Sequence, residues 1–359
     1  MQHRFASHCC EALFVHAAPV VSKELTGAAP LVAENGDPNK VVESMENLFL
    51  HTINELDGYL GYLMTDRFAS HTLRVLLIVL SGQPLASNVA KTPLQSKRKE
   101  HVSINGISRH ELVLEQRSVP DSFSTALEKL LHDCVADLDT QYLRALAIHK
   151  IGNPVLQLLL QIELSHFGKQ RAKDENSLTH KLLPDETVST ESETAIFISN
   201  LTYDAVGSRL VEVIVEHSPG WLFKSLYKNF FKDRLPSLAR NEIAGYVVSK
   251  VLERLGADDL QQAVAALIPQ VEKLIEKNRT AVIRTAIERC KARNVDTAPL
   301  AAAIEKACSG PGGFDIARLL RLGEHRHASD PADPPSPTSA STRSNHSTSL
   351  SDKVHSSLL

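Results

Sequence analysis

The sequence lacks paired cysteines of the kind that cross-link secreted domains or bind zinc. Its five cysteines are an odd number, and no two of them are spaced as Cys-x-x-Cys. Such a set predicts neither a disulfide framework nor a structural zinc site, and it favours a reducing compartment.

Aromatic residues are also scarce, and neither sign of charge dominates. Phe, Trp and Tyr together make up 5% of the 359 residues, and the formal net charge is −3. The low aromatic content disfavours a fold of many short strands, so helix is expected. The charge excludes a globally basic nucleic-acid binder, although it allows a local basic stripe.

Long hydrophobic runs and targeting segments are absent as well. The longest apolar run, residues 75–80, is far too short to cross a bilayer. No signal-peptide core follows Met1. We therefore expect a soluble intracellular protein that has no membrane partner.

Motifs for catalysis are missing too. The sequence contains no Gly-x-Ser-x-Gly, no His-Glu-x-x-His and no phosphate-binding Gly-x-x-x-x-Gly-Lys loop. The glycine-rich residues 309–313 lack the Lys and the preceding strand of such a loop and predict a plain turn. We expect a protein that is not an enzyme and has no cofactor and no metal site.

What the sequence does contain is a repeat. Arg-Phe-Ala-Ser-His occurs at residues 4–8 and again at residues 67–71, and looser copies follow. We call the third residue of each copy the anchor. The anchors are Ser7, Ser70, Asn153, Ser208, Gly245 and Thr280. The last two spacings are both about 36 residues, within the range that indicates a solenoid.

The longer spacings between the earlier anchors predict three insertions. They fall on polar, turn-rich segments near residues 27–40, 81–119 and 169–193. The repeat array is expected to run from residue 1 to 322. Residues 323–359 form a Ser/Pro-rich tail that is expected to be disordered, because it holds few large apolar residues.

Within each repeat the apolar spacing is helical. Leu73, Leu76, Leu77 and Leu80 follow the anchor Ser70 on one face of a helix. A small residue, Ala69, Gly152, Gly207 or Ala244, precedes four of the anchors and allows neighbouring helices to approach closely. Two to three short helices per repeat, stacked in a row, predict an all-α protein, an α-solenoid.

Each anchor helix also presents polar residues at fixed positions. We call the anchor position one, the next residue position two, and the residue four after the anchor position five. Positions one and five lie on the same face of a helix. The pairs are Ser7/Glu11, Ser70/Arg74, Asn153/Gln157 and Ser208/Glu212. A solvated face with the anchor as a helix cap is the alternative interpretation.

Residues 152–157, Gly-Asn-Pro-Val-Leu-Gln, resemble the RNA-reading helix of Pumilio-type repeats. The resemblance implies three-helix repeats in a curved superhelix, where positions one and five contact a base edge and position two stacks. It implies a uracil preference for Asn153 with Gln157.

The same resemblance assigns roles at the other anchors. Ser208 with Glu212, and Ser7 with Glu11, would prefer guanine, because a carboxylate accepts from the two donors on its Watson–Crick edge. Arg74 fits no base and would meet a phosphate. Arg284, with Thr280 and Ala281, would contact the RNA backbone or belong to a capping repeat. The complete set of candidate RNA-binding residues is Ser7, His8, Glu11, Ser70, His71, Arg74, Asn153, Gln157, Ser208, Arg209, Glu212, Tyr246 and Arg284.

Longer strings are similar to the nucleolar protein nine family, a divergent branch of the Pumilio (PUF) proteins. Residues 62–82, with the basic residues 97–99 of the following insertion, carry the similarity, which runs from about residue 3 to 323. The chain begins inside a repeat, so the N-terminal repeats of that family are expected to be missing.

The family resemblance implies a function. It implies a monomeric protein of the nucleus and nucleolus that binds precursor ribosomal RNA and contacts pre-ribosomal particle proteins. It would act in small-subunit (18S) rRNA maturation by occupying RNA near a cleavage site. The alternative is a protein-binding scaffold of the HEAT or armadillo kind, which would share the helical repeats.

Overall fold

The computed structural model describes residues 1–27, 43–83, 117–185, 189, 191–310 and 313–320. The proposed tail at residues 323–359 lies outside the described residues. So do most of the first two insertions and a few residues of the third. The described residues form two compact units, Met1–Lys232 and Asp233–Leu359.

The first unit is built from α-helices and short helical turns. Its α-helices, in chain order, are α1 (Ala6–Leu25), α2 (Met45–Glu55), α3 (Leu60–Thr65), α4 (Ala69–Leu80), α5 (Asp121–Asp137), α6 (Thr140–Ile148), α7 (Gly152–Ser165), α8 (Leu178–Leu182), α9 (Glu193–Tyr203), α10 (Gly207–His217) and α11 (Gly220–Leu226).

The anchor helices of this unit pack side by side. Helix α1 packs on α4, α4 on α7, and α7 on α10. Each of α4, α7 and α10 also packs on the helix that precedes it, which gives α3–α4, α6–α7 and α9–α10 hairpins. The leucines that follow Ser70 are buried, as their spacing predicted. The predicted α-solenoid is confirmed.

Glycines allow the close approach within two of these hairpins. A Cβ atom on Gly152 would lie 2.6 Å from the Leu146 side chain, and one on Gly207 would lie 2.6 Å from the Leu201 side chain. Real Cβ atoms essentially never come so close. At residues 152 and 207 the small residue before the anchor therefore allows the close packing that the sequence indicated.

The third insertion contains short helices that are tied to α7. A 3₁₀ turn (Lys169–Lys173) and α8 both pack on α7. The buried Glu163 carboxylate accepts hydrogen bonds from the backbone N–H groups of Leu178 and Thr179, both at 2.8 Å, and from the Thr179 hydroxyl at 2.5 Å. Burial raises the pKa of Glu163, and the Thr179 hydrogen bonds oppose that shift.

The second unit repeats the same arrangement. Its elements are α12 (Leu235–Ala239), α13 (Ala244–Arg254), α14 (Ala257–Leu267), α15 (Val271–Glu276), α16 (Thr280–Arg293), α17 (Ala298–Cys308), β1 (Ser309–Gly310), β2 (Gly313–Phe314) and α18 (Ile316–Leu320). The anchor helices α13 and α16 pack on each other, and each packs on the helix before it.

Two features bear on the earlier expectations. The strands β1 and β2 pair antiparallel around the glycine-rich segment, where the sequence predicted a turn. Among the described residues, no helix has the length and apolar character needed to span a membrane.

Candidate RNA interface

A side chain four residues before the anchor caps the start of five anchor helices. Asp66 Oδ1 accepts from the N–H groups of Phe68 and Ala69, at 2.9 and 2.7 Å. Asp204 Oδ1 accepts at the same two distances from Val206 and Gly207. These acceptors satisfy donors at the start of the helix that have no partner within it.

The remaining caps use other residue types. Asn241 Oδ1 accepts from Ile243 and Ala244, at 2.9 and 3.0 Å. The caps of α1 and α7 are histidines: His3 Nδ1 and His149 Nδ1 accept from backbone N–H groups at 3.0–3.4 Å. In all five helices the N–H of the anchor donates to the carbonyl of the capping residue.

These caps contradict the alternative interpretation in which the anchor itself caps the helix. The capping residue stands four positions earlier, so the anchor already lies inside the first turn. Sequence reasoning missed these caps. The available signal was a side chain with an acceptor atom, Asp, Asn or His, at a constant offset from each anchor. Because the five starts are alike, positions one, two and five are structurally equivalent.

Position one is buried in the anchor helices. Asn153 is 0% exposed, and Ser7, Ser70 and Ser208 are also buried. The Asn153 side-chain amide donates to the Ala147 carbonyl at 2.5 Å and accepts from the Gln157 amide. The predicted base-reading pair is thus internally bonded, and Gln157 is its half-buried, outer member.

The side chains at position two are more exposed to solvent than those at position one. His8 and Arg209 are exposed, Tyr246 is 62% exposed, and His71 is half-buried. Exposed rings and guanidinium planes present flat faces on which a base could stack. This placement is compatible with the stacking role that the sequence assigned to position two.

Position five varies among the helices. Glu11 and Glu212 are partly buried, with the Glu11 side chain 15% exposed and 3.6 Å from His8 Nδ1. Arg284, on α16, is exposed and pairs with Glu288 at 2.8 Å. Arg284 thus lies where an RNA backbone could reach it.

The structure corrects the expectation for Arg74. This residue is 4% exposed; its Nε donates to the Ser70 carbonyl at 3.3 Å, and its Nη2 lies 2.8 Å from His71 Nδ1. Burial lowers the pKa of Arg74 to about 10, although the nearby Glu11 carboxylate acts in the opposite direction. A guanidinium enclosed in this way is not presented to a phosphate at the surface.

The second unit offers fewer polar groups for base reading. Gly245 is buried at position one, and the Ser249 hydroxyl at position five donates to its carbonyl at 3.2 Å. A Cβ on Gly245 would meet only ordinary contacts, at 3.6 and 3.7 Å. Tyr246 is therefore the main side chain that this helix exposes to a base.

Comparison with known proteins matches the whole chain to one family model. The model of the NOP9-like PUF repeat domain matches residues 1–359. Nucleolar protein 9 of Phaeosphaeria nodorum is 58% identical over 327 residues, which cover 90% of this chain and 45% of that protein. Nucleolar protein 9 of Pyrenophora tritici-repentis is 52% identical over 362 residues, which cover 100% of this chain and 49% of that protein. The chain spans about half the length of these relatives.

Solved structures show the same fold at low sequence identity. APUM23-GGAAUUGACGG superimposes with a TM-score of 0.63 at 20% identity, covering 89% of this chain and 54% of that chain. APUM23-GGAUUUGACGG gives a TM-score of 0.60 at 19% identity, with 89% and 53% covered. These likenesses agree with the α-solenoid described above.

Proposed function

Because the chain belongs to the NOP9-like PUF repeat family, we propose that it is an RNA-binding protein of the nucleolus, within the nucleus. It binds precursor ribosomal RNA and acts in 18S rRNA maturation without catalysing a reaction. The relatives named Nucleolar protein 9 support the compartment. The solved relatives, which carry RNA sequences such as GGAAUUGACGG, support RNA as the partner.

One observation carries the proposal: five anchor helices are capped by a side chain at the same offset, and position two is exposed in three of them and half-buried in the other two. Flat side chains at one repeated position suit single-stranded RNA, whose unstacked bases can stack on them. His8 and Arg209 in the first unit and Tyr246 in the second unit supply such faces.

Base selection would come chiefly from position five, because position one is buried. The Glu212 carboxylate offers only acceptors, which match the N1–H and N2–H₂ donors of guanine. The Gln157 amide offers a donor and an acceptor, as uracil requires. The Asn153 amide oxygen accepts a hydrogen bond from the Gln157 amide, and Ser208 is buried one turn before Glu212.

The mechanism is occupancy. A monomer lies along precursor RNA near a cleavage site and excludes a nuclease for as long as it is bound. Pre-ribosomal particle proteins would meet the surfaces that the RNA leaves uncovered. The mechanism requires no catalytic group.

The test measures binding of the full 359-residue chain to RNA from the 3′ end of the small-subunit precursor. A scrambled RNA of equal length is the control. Arg209→Ala should weaken binding by about 1–3 kcal/mol, the scale of one stacked base. Arg293→Ala, which removes an exposed arginine at the far end of α16, should leave affinity nearly unchanged.

Two results would contradict the proposal. Equal, weak binding of both RNAs would remove the precursor specificity. A chain that binds no RNA but retains protein partners would favour the scaffold alternative. Crosslinking in cells, followed by sequencing of the bound RNA, then locates the site relative to the cleavage position.

A further inference from the structure

The reading positions of the first two anchor helices are joined in one polar cluster. Arg74 on α4 contacts the Ser70 carbonyl at 3.3 Å and His71 Nδ1 at 2.8 Å. On α1, His8 Nδ1 lies 3.6 Å from the Glu11 carboxylate. The cluster thus holds a buried cation at one position five and a partly buried anion at the other.

The packing of the two helices brings these charges together. The Thr72 hydroxyl donates to the Ser7 carbonyl at 3.3 Å, which places the first turn of α4 against the first turn of α1. The two helices pack on each other, and in each of them the position-five residue lies one turn beyond the anchor. Burial lowers the pKa of Arg74, and the charge of the Glu11 carboxylate opposes that shift, so the two charges act on each other across the helix pair.

We propose that Glu11 and Arg74 form one guanine-reading unit, in which Arg74 positions and charge-balances Glu11 and two neighbouring repeats specify a single base. This inference rests on the proposed RNA-binding function. Arg74 is a positioning residue, because it is too deeply buried to touch RNA itself.

The chemistry explains the division of roles. Only an ionised carboxylate accepts from both guanine donors without offering a donor of its own. Moving such a carboxylate out of water is costly unless an opposite charge lies nearby. Arg74 supplies that charge from a buried position, and its hydrogen bonds to Ser70 and His71 hold the guanidinium in place.

The same bonds explain why the second repeat reads no base of its own. Ser70 is buried, Arg74 is enclosed, and one ring nitrogen of His71 is engaged by Arg74. His71 keeps a half-buried ring for stacking. We therefore expect the nucleotide at this repeat to be held without base selection.

The experiment selects RNAs from a single-stranded pool randomised at every position, using the full chain and its variants. The variants are Glu11→Gln, Arg74→Met, Arg74→Gln and the double variant Glu11→Gln/Arg74→Met. Met keeps an unbranched apolar stem in place of Arg and carries no charge. Gln keeps a donor at the level of the Arg Nε atom for the Ser70 carbonyl, so this variant replaces the Met variant if the latter does not fold. Arg74→Lys tests rescue by charge.

We expect the Glu11 and Arg74 variants to lose base preference at the same position of the selected RNA sequence. Glu11→Gln and each neutral Arg74 variant should lower the preference for guanine there by about tenfold, the scale of one good base contact. The double variant should lose no more than either single variant. Arg74→Lys should keep most of the preference.

Other outcomes are distinguishable. If the neutral Arg74 variants keep the guanine preference that Glu11→Gln abolishes, the positioning role is wrong. If the neutral Arg74 variants weaken binding to all RNA sequences equally and reduce its salt dependence, Arg74 contacts a phosphate instead. If the wild-type chain selects no RNA, the proposed function itself fails.

Discussion

The cap of α10 gives the sharpest test of how the reading helices are positioned. Asp204→Ala removes the acceptor of two hydrogen bonds, from Val206 at 2.9 Å and from Gly207 at 2.7 Å. Loss of such a cap costs about 1 kcal/mol, within a range of roughly 0.5–2. Loss of the negative charge at the helix N-terminus adds about 0.3–1 kcal/mol.

The two contributions together give an expected loss of about 1–2 kcal/mol. This loss affects the first turn of α10, so the stability of that turn should be measured directly. Amide hydrogen exchange reports the opening of individual helix starts. The N–H groups of Val206 and Gly207 should exchange about tenfold faster in the variant, since about 1.4 kcal/mol corresponds to a factor of ten. Amides in the middle of α10 should change much less.

The chain itself provides the matched control. Asn241 performs the same role in the second unit with an amide oxygen, at 2.9 and 3.0 Å. Asp204→Asn should therefore preserve most of the protection that Asp204→Ala removes. If the Asn variant exchanges as fast as the Ala variant, or if neither differs from the wild type, the capping argument is refuted.

Two further predictions concern packing and pH. Gly207→Ala should destabilise the α9–α10 hairpin by about 1–3 kcal/mol through overpacking against Leu201. Gly245→Ala should be neutral or stabilising by up to about 1 kcal/mol, because space for the methyl group exists and Ala favours helix. Urea denaturation midpoints of the two variants measure the difference in stability. Equal effects of the two substitutions would refute the packing argument. Burial raises the pKa of Glu163, so its contribution to stability is complete below about pH 4.5 and is lost as the pH rises through the folded-state value. The stability of Glu163→Gln relative to the wild type should therefore increase from acid to neutral pH in urea titrations, and a flat difference would contradict this.

The sequence predicted the helices and their repetition because both depend on local spacing. The leucines after Ser70 recur at helical intervals, and the glycine before Ser208 indicated the close approach that the hairpin requires. Both inferences use residues within one repeat, and the structure confirmed them.

The depth of the polar side chains could not be predicted in the same way. Arg74 looked like a surface cation, because nothing in its own helix indicates that its side chain is buried or that the charge of Glu11 acts on it. That influence comes from a helix more than fifty residues earlier in the chain. The caps were missed for a different reason: His3, Asp66 and Asn241 share only an acceptor atom, so no common residue type marks the position.

The hydrogen bonds of Glu163 divide the third insertion into two parts that differ in their tolerance of change. Residues 169–182 complete the surroundings of a carboxylate inside the protein, so a relative that shortened this stretch would have to replace Glu163 at the same time. Beyond Leu183 that constraint ends, since the three donors all lie before it. Length variation among relatives should therefore concentrate in the later part of the segment, and any loss of the earlier part should be accompanied by an apolar residue at position 163.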